Sequence, residues 1–116
     1  MNKTLTITIK PDWEKNLREA AKHSTRGGYQ GEYLNFASPG LFFGKLTENR
    51  WELVQALQKD GAAGVRELAQ RVGRDVRRVH DDVIALLELG LIEKNSKGKL
   101  LCPFEDIHVD MHLKVA

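Results

Sequence analysis

Five arginines, Arg66, Arg71, Arg74, Arg77 and Arg78, fall within thirteen residues that hold only two carboxylates, Glu67 and Asp75. Three lysines follow, Lys94, Lys97 and Lys99. A guanidinium donates two parallel hydrogen bonds to a phosphate or to the O6 and N7 of guanine, and an ammonium acts as a point charge on phosphate. The chemistry open to such a set is recognition of a polyanion. The whole-chain charge of +2 hides it, because residues 1–46 carry +3 and residues 47–116 carry −1. Binding to nucleic acid depends on the local potential, so the clusters matter more than the total.

Other reactive side chains point to less. His108, Asp110 and His112 share one side of an alternating segment, successive members about 7 Å apart. Imidazole and carboxylate suit zinc, but no further ligand cluster completes a site, and the expectation is a polar strand face with no metal. His80, Asp81 and Asp82 are adjacent on a helix and diverge, so they form no acid–base pair. Asp82 is expected to pair with Arg78, one turn back. The one cysteine, Cys102, excludes an internal disulfide, suits a reducing cytosol and reads as a small buried hydrophobe. Gly27, Gly28 and Gly31 lack the setting of a phosphate loop. The chain is expected to be no enzyme and to need no cofactor.

Composition frames the rest. Hydrophobic residues make up 41% and charged residues 29%, a globular balance. No apolar run approaches the ~18 residues of a membrane span, and the alternating start lacks a signal-peptide centre. The expected location is cytoplasmic.

The elements that must position the cations follow from periodicity. Leu5, Ile7 and Ile9 alternate with threonines, which predicts a half-buried strand over Thr4–Ile9. Pro11 suits a helix start, and Trp13, Leu17, Ala20 and Ala21 carry helical spacing to about residue 24. Arg26–Gly31 reads as a turn, Leu34–Ala37 as a short strand and Pro39–Lys45 as ambiguous, together a βαβ-like arrangement.

From Thr47 the signals sharpen. Thr47 caps a helix with Glu48 in its first turn and Leu46 stapled onto Trp51. Trp51, Val54, Ala56 and Leu57 form its apolar stripe, and Asp60-Gly61 ends it. A shorter helix over Val65–Val72 turns Val65, Leu68, Ala69 and Val72 inward and stops at Gly73. Asp75 caps a third helix that is expected to bury Val76, Val79, Val83, Leu86 and Leu87, with Gly90 as a left-handed cap and Leu91 folded back onto Leu86. Leu91–Lys94 and Lys99–Cys102 form a hairpin around Asn95-Ser96-Lys97-Gly98. Ile107–Val115 then alternates as a nine-residue strand. Its pairing with the first strand, within one chain or across a dimer, stays open.

Helix, short helix, three-residue turn, long helix and basic hairpin resemble the winged helix-turn-helix of MarR- and ArsR-like transcriptional regulators. The stretch concerned is Val65-Arg66-Glu67-Leu68-Ala69-Gln70-Arg71-Val72-Gly73, then Arg74 to His80, then Val83 to Ile92. It is most similar to a small prokaryotic group of predicted DNA-binding proteins with a like N-terminal extension and a tail like Cys102-Pro103-Phe104-Glu105-Asp106-Ile107-His108-Val109-Asp110, some encoded beside toxin-like genes.

The resemblance implies an α+β fold in three parts. These are a strand–helix extension over 1–46 that serves dimerisation, a winged helix-turn-helix DNA-binding domain over 47–102 and a C-terminal amphipathic strand over 103–116. It implies a homodimeric, sequence-specific repressor or antitoxin-type autorepressor that reads the major groove of double-stranded DNA with helix 76–89, and it leaves open a toxin-like protein partner. Carried over by position, the contacts would be Arg74, Arg77, Arg78, His80 and Asp81 on that helix and its approach, with Lys97 and Lys99 on phosphates. Asp81 departs from the basic or neutral group common at its place. It repels phosphate unless it accepts from cytosine or orients Arg77 or Arg78. The alternative is a winged-helix protein-interaction module without DNA readout, consistent with Asp81-Asp82, the small net charge and the amphipathic tail.

Overall fold

The computed structural model describes residues 3–11 and 31–113, and among them the chain is α+β. In chain order the elements are β1 (Thr4–Ile9), β2 (Glu32–Phe36), α1 (Pro39–Lys45), α2 (Glu48–Asp60), α3 (Val65–Val72), α4 (Val76–Leu89), β3 (Glu93–Lys94), β4 (Leu100–Leu101) and β5 (Asp106–Asp110). The helix expected after Pro11 and the turn after Arg26 lie outside the described residues. No described helix is long and apolar enough to cross a membrane. The chain divides into two units, residues 1–45 with 104–116, and residues 46–103.

The first unit is built on a three-stranded sheet in the order β2-β1-β5, with both neighbours parallel to β1. Alternation on β1 works as expected. Leu5, Ile7 and Ile9 are buried, joined by Phe36, Phe42 and Phe104. Removing each such side chain from water is worth roughly 1.5–3 kcal/mol. β2 begins two residues before the expected Leu34, because Leu5 and Thr6 of β1 find Glu32 and Tyr33 opposite them. The last strand pairs with β1 inside the chain and is shorter than the nine residues its alternation suggested. Its ladder runs from Thr4↔Asp106 to Thr8↔Asp110 and stops there. The ambiguous segment is a helix. Ser38 Oγ accepts from the Leu41 N–H (3.2 Å), and Pro39 occupies the first helical position, where its missing donor costs nothing. Phe42 meets Phe36 edge-on at 5.4 Å between centroids.

In the second unit α2, α3 and α4 pack on one another and a two-stranded antiparallel sheet follows. Each helix is delimited by a local signal. Thr47 Oγ1 accepts from Arg50 N (3.4 Å) at the start of α2, and Asp75 Oδ2 accepts from Arg78 N (3.3 Å) at the start of α4. Gly73 and Gly90 close α3 and α4 with left-handed backbones, φ 68° and 81°, where an L side chain would be strained. After Gly90 the Leu91 N–H reaches back to Leu86 O (3.1 Å).

Leu53, Val54 and Leu57 of α2, Leu68 and Ala69 of α3, and Val79, Val83 and Leu86 of α4 form the core with Leu46, Ala63, Leu91, Ile92 and Leu100. Several burial expectations are corrected. On α2, Leu53 is buried and Trp51 only half-buried; on α3, Val65 and Val72 are half-buried. On α4, Leu87 is half-buried and Val76 is 42% exposed. The α4 stripe of Val79, Val83 and Leu86 would continue one turn earlier at Asp75 or Val76, which is where the helix begins, so the packing stops short of Val76.

Candidate nucleic-acid interface

The second unit carries exposed cations on α4 and the hairpin, and one each on α2 and α3, Lys59 and Arg66. Val79, Val83 and Leu86 fix the inner side of α4. At ~100° per residue the opposite side carries Arg77, Asp81, Ile84 and Glu88, and all four are exposed. Arg78 and His80 are exposed on its two flanks. Among the described residues Arg77 and Arg78 form no ion pair. The Asp75 cap holds the first turn, so both guanidinium groups leave from a fixed backbone.

Arg74 does not join this set. Sequence position grouped it with the outward residues and paired Asp82 with Arg78. Instead Asp82 draws in two other arginines: its Oδ1 accepts from Arg50 Nε of α2 (3.0 Å), and its Oδ2 from Arg74 Nη2 (2.8 Å). The three side chains are only 15–22% exposed. Partial burial alone would raise the Asp82 carboxyl, but hydrogen bonds from Arg74 and Arg50, reinforced by their charges, hold it below its ordinary value. Arg74 is further fixed by its backbone N–H, which donates to Ala69 O (3.0 Å) at the end of α3. Its Nη1 is buried without a hydrogen-bond partner. The cluster thus ties α2, the α3–α4 turn and the middle of α4 together. Arg50 was missed from sequence because its partner lies 32 residues away.

Arg71 is likewise committed. It donates to Gly61 O (2.8 Å) and Ala62 O (3.5 Å) after α2 and pairs with Glu67 (3.1 Å). Arg66 is exposed and unpaired among the described residues.

The hairpin is short but well defined. β3 and β4 pair through Glu93↔Leu101 and Lys94↔Leu100, and Ala63, just before α3, adds two backbone hydrogen bonds to Leu100 of 3.0 and 2.8 Å. At its tip Asn95 Oδ1 accepts from the N–H groups of Lys97 (2.9 Å) and Lys99 (3.0 Å). Gly98 supplies the left-handed residue, φ 78°. Lys94, Lys97 and Lys99 are exposed and unpaired among the described residues. The sequence marked the turn, and the geometry adds that Asn95 holds the backbone of both lysines.

In the first unit Asp110 pairs with His112 (2.9 Å), and His108 is exposed. No group of three potential ligands converges among the described residues. Cys102, in the second unit, is half-buried.

Residues 45–109, just over half of the chain, match the family model described as HVO_A0114. No curated protein and no solved structure matches the chain.

Proposed function

The chain belongs to the HVO_A0114 family, and since that description carries no activity we propose its function from the geometry: a sequence-specific, double-stranded DNA-binding regulator of transcription. Residues 46–103 act as a winged helix-turn-helix. α3 braces α4, the outer side of α4 enters the major groove, and the β3–β4 hairpin is the wing. A groove ~12 Å wide takes one helix of ~10–12 Å. Arg77 and Arg78 stand in the first turn, where such helices meet base edges, and Arg77 makes the bidentate contact with guanine in this reading. His80 lies beside them. Asp81 serves either to accept from cytosine N4 or to orient Arg77. Lys97 and Lys99 contact phosphate from the wing. Arg74 acts from behind, through Asp82.

One observation carries this reading. Of the five arginines on α3, α4 and the turn between them, Arg71 and Arg74 are bound to oxygens of the chain, while Arg66, Arg77 and Arg78 are exposed and unpaired among the described residues, Arg77 and Arg78 side by side in the first turn of α4. Two guanidinium groups on consecutive residues of a capped first turn, which the fold itself does not use, are what a polyanion would need from that helix.

The first unit is assigned to dimerisation. Leu41 and Phe43 of α1 are 52% and 57% exposed, and Val109, Met111 and Leu113 are exposed at the C-terminal end. A two-fold dimer would place two copies of α4 on half-sites about 34 Å apart or a multiple of it. Repression, with or without a toxin-like partner, is the expected output.

The test is selection of bound duplexes from a random pool by the purified protein, followed by titration of the winning site and a scrambled duplex. A palindromic consensus bound 10³-fold or more over the scrambled duplex, at about physiological salt, is the expected result. Absence of any retention on duplex DNA at about 50 mM salt overturns the proposal in favour of a protein-binding winged helix.

A further inference from the structure

The outer part of α4 is not uniformly polar. Ile84 is 43% exposed on the stripe shared with Arg77, Asp81 and Glu88, and Val76, at the first position on the flank that His80 occupies one turn later, is 42% exposed. Neither completes the core: Val79, Val83 and Leu86 supply it, Ile84 lies opposite them, and Val76 lies one turn before their packing begins. An exposed β-branched side chain also gains little from helix propensity, since branching at Cβ is mildly unfavourable there. Two such residues therefore border Arg77 and Arg78, unpaired among the described residues, and the exposed His80, on a helix that the proposed function puts in the major groove.

A major-groove floor offers donors and acceptors at every base pair, and one apolar substituent, the C5-methyl of thymine. A valine or isoleucine facing any other base edge desolvates polar groups without replacing their hydrogen bonds, which is unfavourable. We propose that Val76 and Ile84 are specificity-determining residues that select thymine through its methyl group. The half-site would then combine a guanine contacted by Arg77 with thymines. This inference rests on the proposed function and adds to it the base class that the two apolar residues read.

Deoxyuridine deletes the methyl and leaves pairing and every hydrogen-bonding group in place. The experiment takes the best duplex from the selection, replaces its thymines by deoxyuridine one at a time, and measures Kd at fixed salt by fluorescence anisotropy. The parent protein, Val76→Ala, Ile84→Ala and the conservative Val76→Ile are compared. The parent is expected to lose about fourfold at two or more thymines, the worth of one methyl-sized apolar group. Val76→Ala becomes indifferent at one of these positions, Ile84→Ala becomes indifferent at another, and Val76→Ile stays sensitive. Both positions are exposed, so the variants should unfold at the parent's temperature.

A selected site without thymine, a parent indifferent to every replacement, or sensitivity that persists unchanged in both alanine variants overturns the inference while leaving the proposed function standing. Failure of the parent to bind any duplex overturns both.

Discussion

Arg50, Arg71 and Arg74 direct their guanidinium groups at oxygens of the chain itself, whereas Arg66, Arg77 and Arg78 have no carboxylate partner among the described residues. In the sequence, five of the six belong to one basic cluster and look alike. The difference is made by where helices start and stop. Arg71 sits in the last turn of α3, near carbonyls left over by α2, which it satisfies. Arg74 follows the left-handed Gly73, which turns the chain so that its side chain meets Asp82. Arg77 and Arg78 come after the Asp75 cap, on a helix whose inner side is already occupied by valine and leucine. A charge cluster read along a chain therefore overstates the charge offered to a ligand. What remains on offer is the part that capping and packing turn outward.

The comparison can be broken by substitutions that act on one group and not the other. The largest expected effect is Asp82→Ala, which leaves Arg50 and Arg74 uncompensated in a mostly buried cluster. We expect a loss of about 2–3 kcal/mol in urea unfolding at pH 7. The sign with pH follows from the lowered Asp82 carboxyl. Its stabilising contribution is fully present above the ordinary carboxylate pKa of about 4 and disappears as pH falls through the lowered folded value. The gap between the parent and Asp82→Asn should accordingly narrow in acid. A gap that stays constant from neutral pH down to about pH 2 would contradict the ionised cluster. Next is Arg77→Ala, expected to cost about 1–3 kcal/mol of discrimination between the selected and scrambled duplexes. Its unfolding midpoint should correspond to a change within about 0.5 kcal/mol, as for an exposed residue. An Arg77→Ala variant that loses stability like Asp82→Ala, yet keeps its base preference, would erase the distinction between the two groups.

What could be read beforehand was what is local. The bounds of α3 and α4, the two caps, the left-handed Gly90 and the Asn95–Gly98 turn follow from signals within a few residues of each other, and they stand where the sequence put them. Arg77 and Arg78, placed outward by the resemblance to winged-helix regulators, are exposed, whereas Arg74, grouped with them on the same ground, is not. The Asp82 cluster was not legible. A carboxylate at i+4 from Arg78 has an obvious local partner, and nothing nearby reveals that Arg50 and Arg74 approach more closely. Val76 was misjudged because a hydrophobic period has no knowledge of where its packing partner ends. The strand of β5 was overextended for the same reason: its alternation continues to Val115, but β1 ends at Ile9, one residue beyond the partner of Asp110. Helix α1 was present in the Ser38-Pro39 pair, obscured by two glycines and adjacent phenylalanines that blur any period.

Smaller effects sharpen the contrast between reading bases and holding phosphates. Asn95→Ala removes the acceptor that fixes the N–H groups of Lys97 and Lys99, and should cost about 1 kcal/mol of stability, typical of a lost side-chain hydrogen bond in a turn. Its duplex affinity should fall modestly for every sequence. Lys97→Ala is the smallest and most diagnostic. The side chain is exposed at the hairpin tip and unpaired among the described residues, so stability should not change. A lysine on a phosphate displaces about one condensed counterion, so its removal should reduce the slope of log K against log salt by about 0.9, equally for selected and scrambled duplexes. Arg77→Ala should by contrast alter the ratio between those duplexes. If Lys97→Ala leaves the salt slope of both duplexes untouched, the hairpin lies off the phosphate backbone. DNA contact would then rest on α4 alone, with Arg66 the next exposed cation to examine for the missing phosphate contact.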